Sequence, residues 1–343
     1  MTLVTLGVYS FWGRTEIRRR MWAFVRLEGE PLVYHGTGME LFKGFMAALV
    51  VVLLPLFIIS MALVITYGQG SSGWAIYQSA LFIIVYPVLK ALAQYRARRY
   101  RLARTSWRGI RGSMTGSASE FAFLSWATSL LYPLTLAWIA PWRALYIQRF
   151  LIGDTMLGDR HLRLGGSTGK LYLRFALLWI ASIVLYFGAA TAIVKLAGGY
   201  GSAIKVPADI AKLPTALWLE IAAVVLAAVF IWSLISSFYR AALYNMTANA
   251  TEIRPVDGSG LPTLYFKLTT RGPQLIWLFV TNQLLTYGSL FVLRPIATAR
   301  SMRYFTQQLS IVGPFDPATL RQNPHAARSE GEGLAQAFDF DAF

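Results

Sequence analysis

TLGVYSFWGRTEIRRR (residues 5–20), a glycine-punctuated segment through Gly29 and Gly36, and then ELF (residues 40–42) together set the plan of this chain. An aromatic cluster and a basic helix stand directly ahead of a long apolar run, which is the order of residues found at a membrane edge. Eighty residues later the pattern returns. Arg18, Arg19, Arg20, Gly29, Gly36 and Glu40 are matched by Arg98, Arg99, Tyr100, Gly109, Gly116 and Glu120 at the same spacing. LTLAWIAPWRALYIQRF (134–150) matches the opening stretch at Thr135 and Trp142 and continues to Gly158 and Gly165, and LLTYGSLFVLRPIATARSMRYF keeps Thr286, Gly288, Arg294, Arg300 and Arg303. Recurrence at fixed spacing reads as an internal repeat, with modules near 5–44, 86–120, 134–170 and 285–313. The chain opens inside the module, which leaves open a truncated start. Six residues lie between the glycines of each pair, as in EPLVYH and DRHLRL, and alternate enough to predict a short hairpin or tight turn at the membrane face. No strand, glycine loop and helix pattern for phosphate binding surrounds them.

Hydrophobic residues make up 56% of the 343 and charged residues only 14%. A soluble protein would carry about 25% charged residues, so lipid is the solvent for much of this chain. The 32 Lys and Arg against 16 Asp and Glu cluster beside the apolar runs and not on a soluble face, which favours a topology signal and argues against nucleic acid as a partner. Cysteine is absent, so disulfides and thiolate metal sites are excluded. No cleavable signal peptide precedes Arg14, which leaves the first span to direct insertion.

Four apolar runs have the length of a bilayer crossing, near 42–67, 74–93, 171–195 and 215–239. Two shorter ones, 121–141 and 274–293, are the difficulty. If both cross, a group of basic residues from Arg143 to Lys170 and from Arg240 to Arg271 falls on the wrong side of the membrane. If both enter and return, every basic cluster is cytoplasmic. Pro133 in one, and Asn282, Gln283, Thr286 and Gly288 in the other, suit broken segments packed inside a bundle. The sequence therefore predicts an all-α, multi-pass membrane protein with four full transmembrane helices and two short re-entrant segments, with six plain spans as the alternative. Residues 1–313 form one membrane domain, and the acidic segment 314–343 is a disordered cytoplasmic tail able to dock on the basic belt.

TLGVYSFW before a basic helix, the glycine-spaced ELF, and the closing GEGLAQAFDFDAF resemble the YjgN family of bacterial inner-membrane proteins over nearly the whole chain. Phe11 stands where the family pattern places proline, whereas Pro141 and Trp142 fit it. The resemblance implies a multi-pass protein of the inner membrane and no particular reaction.

Chemistry is sparse. His35 and His161 sit in comparable glycine-bracketed segments without ligand spacing, and His325 lies in the tail, so no metal or cofactor is expected. No nucleophile elbow or paired acid and base is present, and enzymatic activity is not expected. Glu40 and Glu120 begin apolar runs and read as helix-start carboxylates, with pairing to module arginines as the alternative. Glu220 alone lies inside a span, against a proton-coupled path. Arg96, Arg98, Arg99, Arg101 and Arg104, followed by Trp107 and Arg108, form the densest basic and aromatic patch and the expected contact for anionic lipid headgroups. Asn282, Gln283 and Thr286 are the expected lining of a solute path. Together these features point to a transporter or channel-like protein, with a non-catalytic scaffold or anionic-lipid-binding protein as the alternative.

Overall fold

The computed structural model describes residues 9–27, 29–68, 70–199, 215–255, 264–268, 270, 272–289, 292–313 and 320–322. The elements follow in chain order. Helix α1 (Ser10–Phe24) leads to β1 (Arg26–Leu27), β2 (Glu30–Pro31) and β3 (Val33–Tyr34). Next come α2 (Gly38–Ala48), α3 (Leu54–Tyr67), α4 (Ser72–Ala80) and α5 (Tyr86–Ala103), then β4 (Thr105–Trp107) and β5 (Ile110–Met114). A second group holds α6 (Ala118–Ser129), α7 (Leu131–Leu134), α8 (Ala140–Gly153), β6 (Thr155–Leu157) and β7 (Arg160–Leu164). The long helices α9 (Gly169–Gly199) and α10 (Thr215–Asn249) precede β8 (Thr251–Pro255) and β9 (Leu264–Leu268), and α11 (Gly272–Gly288), α12 (Arg294–Gln308) and β10 (Leu309–Val312) close the series.

Four continuous helical stretches are long and apolar enough to cross a membrane: Gly38–Tyr67, Ser72–Ala103, Gly169–Leu196 and Thr215–Asn249. Large apolar side chains along them face outward, among them Ile65, Phe82, Leu173 and Leu219. The first two stretches each contain a π-helical turn, Leu49–Leu53 and Leu81–Val85, two residues ahead of Pro55 and Pro87. Proline lacks the N–H that would bond the carbonyl four residues back. The carbonyl of Ile83, four residues before Pro87, instead accepts from Trp126 Nε1 on α6 at 2.9 Å.

An all-α fold is corrected by an antiparallel sheet of eight strands, ordered β10-β9-β8-β7-β6-β5-β4-β3, with β1 and β2 paired separately. Its strands hold two to five residues, too few to show alternation, and the β3–β4, β5–β6 and β7–β8 pairings join segments tens of residues apart. The glycines act as the hairpin reading requires, but the first strand of each hairpin lies ahead of the glycine pair. The β4–β5 turn takes Arg108 and Gly109 both at positive φ, 50° and 79°, the geometry of a type I′ turn. Gly158 supplies φ 59° at the β6–β7 turn.

The register decides where the chain leaves the sheet and returns. Tyr34 lies opposite Thr105, Met114 opposite Thr155, and Leu164 opposite Thr251. In each pair the first residue ends the strand before a helical excursion and the second begins the strand after it. The same joint closes all three. The N–H of His35, Thr115 and Gly165 donates to the carbonyl of Arg104, Asp154 and Ala250, the residue that follows the returning helix, at 2.8, 3.1 and 2.8 Å. Thr105 and Thr155 also turn their hydroxyls back to the helix carbonyls of Arg101 and Leu151, both at 2.7 Å.

Two compact units result: Met1–Gly165 with Ala250–Lys267 and Met302–Phe343, and Gly166–Asn249 with Leu268–Ser301. In the first unit apolar packing concentrates where helix ends meet strands. Phe11, Tyr34, Leu41 and Tyr100 form one cluster; Ala91, Tyr95, Met114, Phe121 and Ala122 form another. Thr37 and Ser117 cap α2 and α6 by accepting from the N–H of Glu40 and Glu120. Of the tail 314–343 the described residues are 320–322, where Leu320 is buried. The N–H of Arg321 donates to Asp159 Oδ1 at 3.4 Å, and Gln322 Oε1 accepts from the N–H of Arg111 at 2.7 Å.

Candidate ligand cavity of the second unit

The second unit is built of α9, α10, α11 and the first half of α12. Its long helices α9 and α10 are largely apolar, and a group of polar side chains gathers where α10, α11 and α12 face one another. Ser233, Ser236 and Ser237 on α10 are buried, as is Asn282 on α11 at 8% exposure. Small serines let helices approach closely and offer hydroxyls between them. Gln283 Nε2 donates to Ser233 Oγ. Asn282 Nδ2 donates to the carbonyl of Ala297 at 3.0 Å and to Ser301 Oγ at 2.8 Å. Arg300 on α12 donates to Thr281 Oγ1 at 3.1 Å.

These bonds hold α11 against its neighbours and leave a cavity of about 250 Å³, lined by Arg240, Phe279, Asn282, Gln283, Thr286, Tyr287, Arg294, Ala297, Thr298 and Ser301. The lining carries two guanidinium groups and no carboxylate. Arg240 is half-buried, with its guanidinium 6.0 Å from the ring centres of both Trp232 and Phe279, and no carboxylate among the described residues pairs with it. Asn282 Oδ1 and Gln283 Oε1 are buried and accept no hydrogen bond. Such orphaned acceptors are uncommon in folded proteins, and neither oxygen has surface that a water could reach. Trp232, beneath Arg240, donates its indole N–H to Ser182 Oγ at 3.1 Å and also lines a second, apolar groove of about 660 Å³ between α9 and α10, walled by Leu185, Ile193, Val194, Val225 and Val229.

Asn282, Gln283 and Thr286 are thus brought together around one cavity. Arg240, Arg294 and Phe279 were not singled out by sequence, because an arginine at the end of an apolar run reads as an ordinary topology signal.

The basic and aromatic patch has a different fate in the first unit. Arg99 donates to the carbonyl of Gly116 and lies 5.2 Å from the ring centre of Tyr95. Arg104 pairs with Glu40 at 2.8 Å, and the same carboxylate accepts from Tyr100 Oη. Arg108 pairs with Glu30 at 3.0 Å and covers Trp107, which is buried. Arg98 Nε is buried without a partner, Arg101 is half-buried and Arg96 is exposed. Most of the patch is therefore turned to internal contacts. Glu40 serves the helix start and an arginine pairing together. Tyr95, fully buried, donates to Asp154 Oδ2 at 2.6 Å. Exposed His35 meets Ser106 Oγ at 2.7 Å, His161 sits in β7 opposite Met156, and His325 lies outside the described residues.

Four helices long and apolar enough to cross a membrane mark a multi-pass helical membrane protein. The chain belongs to a family of bacterial proteins of unknown function, DUF898, whose profile matches residues 1–337. Over 97 residues it is 31% identical to the inner membrane protein YjgN of Salmonella typhimurium (strain LT2). That stretch covers 28% of this chain and 23% of the relative's length. The YjgN-family resemblance carried by the aromatic and basic motifs is upheld by these two matches. No solved structure matches.

Proposed function

We propose that this YjgN-family protein is a transporter or channel-like protein of the bacterial inner membrane, and that its solute occupies the α10–α12 cavity. One observation carries the reading: α10, α11 and α12 gather Arg240, Asn282, Gln283 and Thr286 around a common space. Polar groups at membrane depth are expensive and mark substrate paths.

The strand register supports four full crossings with two returning hairpins, built from repeated modules of basic helix, strand hairpin and capped helix. Strands of one hydrogen-bonded sheet lie on one side of a bilayer, so each helical excursion between neighbouring strands crosses an even number of times or not at all. The excursions through α2–α5 and α9–α10 are each long enough for two crossings. That through α6–α8 is not: α6, at 12 residues, spans about 18 Å against a core of about 30 Å. Its tip is apolar, with Leu134 and Leu136 exposed, as suits a hairpin that ends among lipid chains. The basic helix ends support a cytoplasmic side for the sheet and the C-terminus.

Cysteines placed singly at Arg111 and Arg163, and at Tyr265 and Leu309, test the arrangement in this cysteine-free chain. A membrane-impermeant thiol reagent should label all four only after permeabilisation; labelling of the Arg163 and Tyr265 positions in intact cells would establish six plain spans. For transport, proteoliposomes loaded with chloride, phosphate or glycerol 3-phosphate should release at least one anion faster than protein-free liposomes, and Arg240→Gln should remove the difference. No release of any of the three would overturn the transport reading.

The alternative, a non-catalytic scaffold or lipid-binding protein, is favoured by the apolar groove between α9 and α10. The contacts of Leu320–Gln322 with Asp159 and Arg111 support docking of the tail segment on the strand turns.

A further inference from the structure

We propose that the groove between α9 and α10 holds one acyl chain of an anionic phospholipid, with the headgroup phosphate at Arg240. The assignment rests on the lipid-binding reading of this groove and adds the class of lipid and its contact; it does not depend on transport through the α10–α12 cavity.

The groove owes its space to small residues. Ala189 and Ala190 on α9 and Ala228 on α10 line its middle, while Leu185, Ile193 and Val225 stand to either side. The opening of about 660 Å³ has the size of a site for a small apolar ligand. Both helices are long and apolar enough to cross a membrane, so the groove opens on hydrocarbon. Its lining on α9 runs from Ser182 to Val194, about 18 Å at the helical rise. One leaflet of a bilayer core is about 15 Å deep, so the groove suits a single chain of a single leaflet.

One end of the groove carries charge. Trp232 stands there, with its indole N–H given to Ser182 Oγ at 3.1 Å, and the Ser182 hydroxyl donates to the carbonyl of Leu178 at 2.7 Å. These groups are spent on each other and ask nothing of an occupant. Past them Phe175 and Tyr239 close the helix pair edge to face, with ring centres 5.4 Å apart. Arg240 comes two turns after Trp232, and a helical side chain leans toward the start of its helix. That lean brings the guanidinium to 6.0 Å from the Trp232 ring centre, with Phe279 of α11 at the same distance. A cation is thus held over the end of an apolar trough, and no carboxylate among the described residues pairs with it.

An uncompensated cation beside hydrocarbon is costly, and a lipid phosphate removes that cost while its chain fills the trough. The headgroup is selected by what the surroundings lack. A zwitterionic lipid would bring an ammonium group up to a lining that contains Arg240 and Arg294 and no acid. A lipid whose phosphate is its only charge, as in phosphatidylglycerol, brings none.

The test uses the purified full chain in detergent, offered equal amounts of phosphatidylglycerol and phosphatidylcholine with the same acyl chains, and counts retained lipid by native mass spectrometry. Phosphatidylglycerol should be favoured about fivefold, the preference that one basic residue at an anionic headgroup supports. Arg240→Gln should bring the ratio to about one, and Arg240→Lys, which keeps the charge, should preserve most of it. Ala228→Phe fills the groove and should lower phosphatidylglycerol retention while leaving anion release from proteoliposomes unchanged. Equal retention of the two lipids by the native chain would overturn the assignment, and so would a preference that survives Arg240→Gln. Displacement of phosphatidylglycerol by equimolar oleate would overturn it too, since the site would then belong to a free fatty acid. Anion release without selective retention would leave transport standing and sink this inference. Selective retention without release would do the reverse.

Discussion

Two helical hairpins use one construction to opposite ends. In α6–α8 and in α11–α12 an arginine of the second helix reaches back to a threonine of the first: Arg143 to Thr128 at 3.1 Å, and Arg300 to Thr281 at 3.1 Å. The first hairpin is then closed. Arg143 donates as well to the carbonyl and hydroxyl of Ser125, at 2.8 and 3.2 Å, and stacks on Tyr132. The second is left open, because α11 carries Asn282 and Gln283 with their oxygens unclaimed, and α10 adds Arg240 without a carboxylate partner among the described residues. The comparison separates a polar group that fastens a structure from one that stays available. What distinguishes them is not burial but whether the neighbouring residues use up its hydrogen bonds.

Substitutions can break or sharpen that comparison. The largest effect is expected at Arg143. Replacing it by methionine removes three charge-assisted bonds, a loss of about 3 kcal/mol. Thermal unfolding in detergent should show it, and a drop no greater than that of Arg240→Gln would erase the distinction. At the root of the closed hairpin, a Cβ on Gly116 would lie 1.9 Å from Asp154 Oδ2, so Gly116→Ala should destabilise by about 2 kcal/mol. Gly165→Ala is its control. There the new atom meets only the carbonyl of Ala250 at 3.6 Å, and the same unfolding assay should register little change.

Between α7 and α8, Leu136 and Ala137 hold positive φ, 48° and 66°. Ala137→Gly should therefore stabilise by about 1 kcal/mol, since the left-handed region strains a residue with a Cβ. A loss there would mean that the methyl group does more by packing than its backbone suffers. The smallest effect belongs to the open hairpin. Gln283→Leu gives up one hydrogen bond and also removes an unsatisfied acceptor, and the two should cancel to within about 0.5 kcal/mol in the unfolding assay. A fall as large as that of Arg143→Met would show that this hairpin is fastened too.

Membrane character was legible because long apolar runs flanked by arginine need no tertiary information. So were Asn282, Gln283 and Thr286, since polar residues interrupting an apolar run stand out. Arg240 was hidden by its position, and its use follows only from the rings of Trp232 and Phe279 beside it. Trp107 misled for the complementary reason: nearness to a span suggested the interface, but a three-residue strand does not reveal which face is covered. The hairpin of β8 and β9 escaped the module pattern because it lacks the glycine spacing. A threonine two residues after the helix end, shared by Thr105, Thr155 and Thr251, is the signal that would have found it. The joining of these short hairpins into one sheet depends on neighbours far along the chain, and no local pattern announces it.

The strictly sequential order of the sheet carries a consequence for biosynthesis. Strands β3 to β10 lie side by side in the order in which the ribosome makes them. Each newly inserted helical pair delivers its next strand to the growing edge of a template already in place, so assembly can proceed without waiting for the C-terminus. An interruption in translation would leave a shorter sheet with every earlier strand already matched.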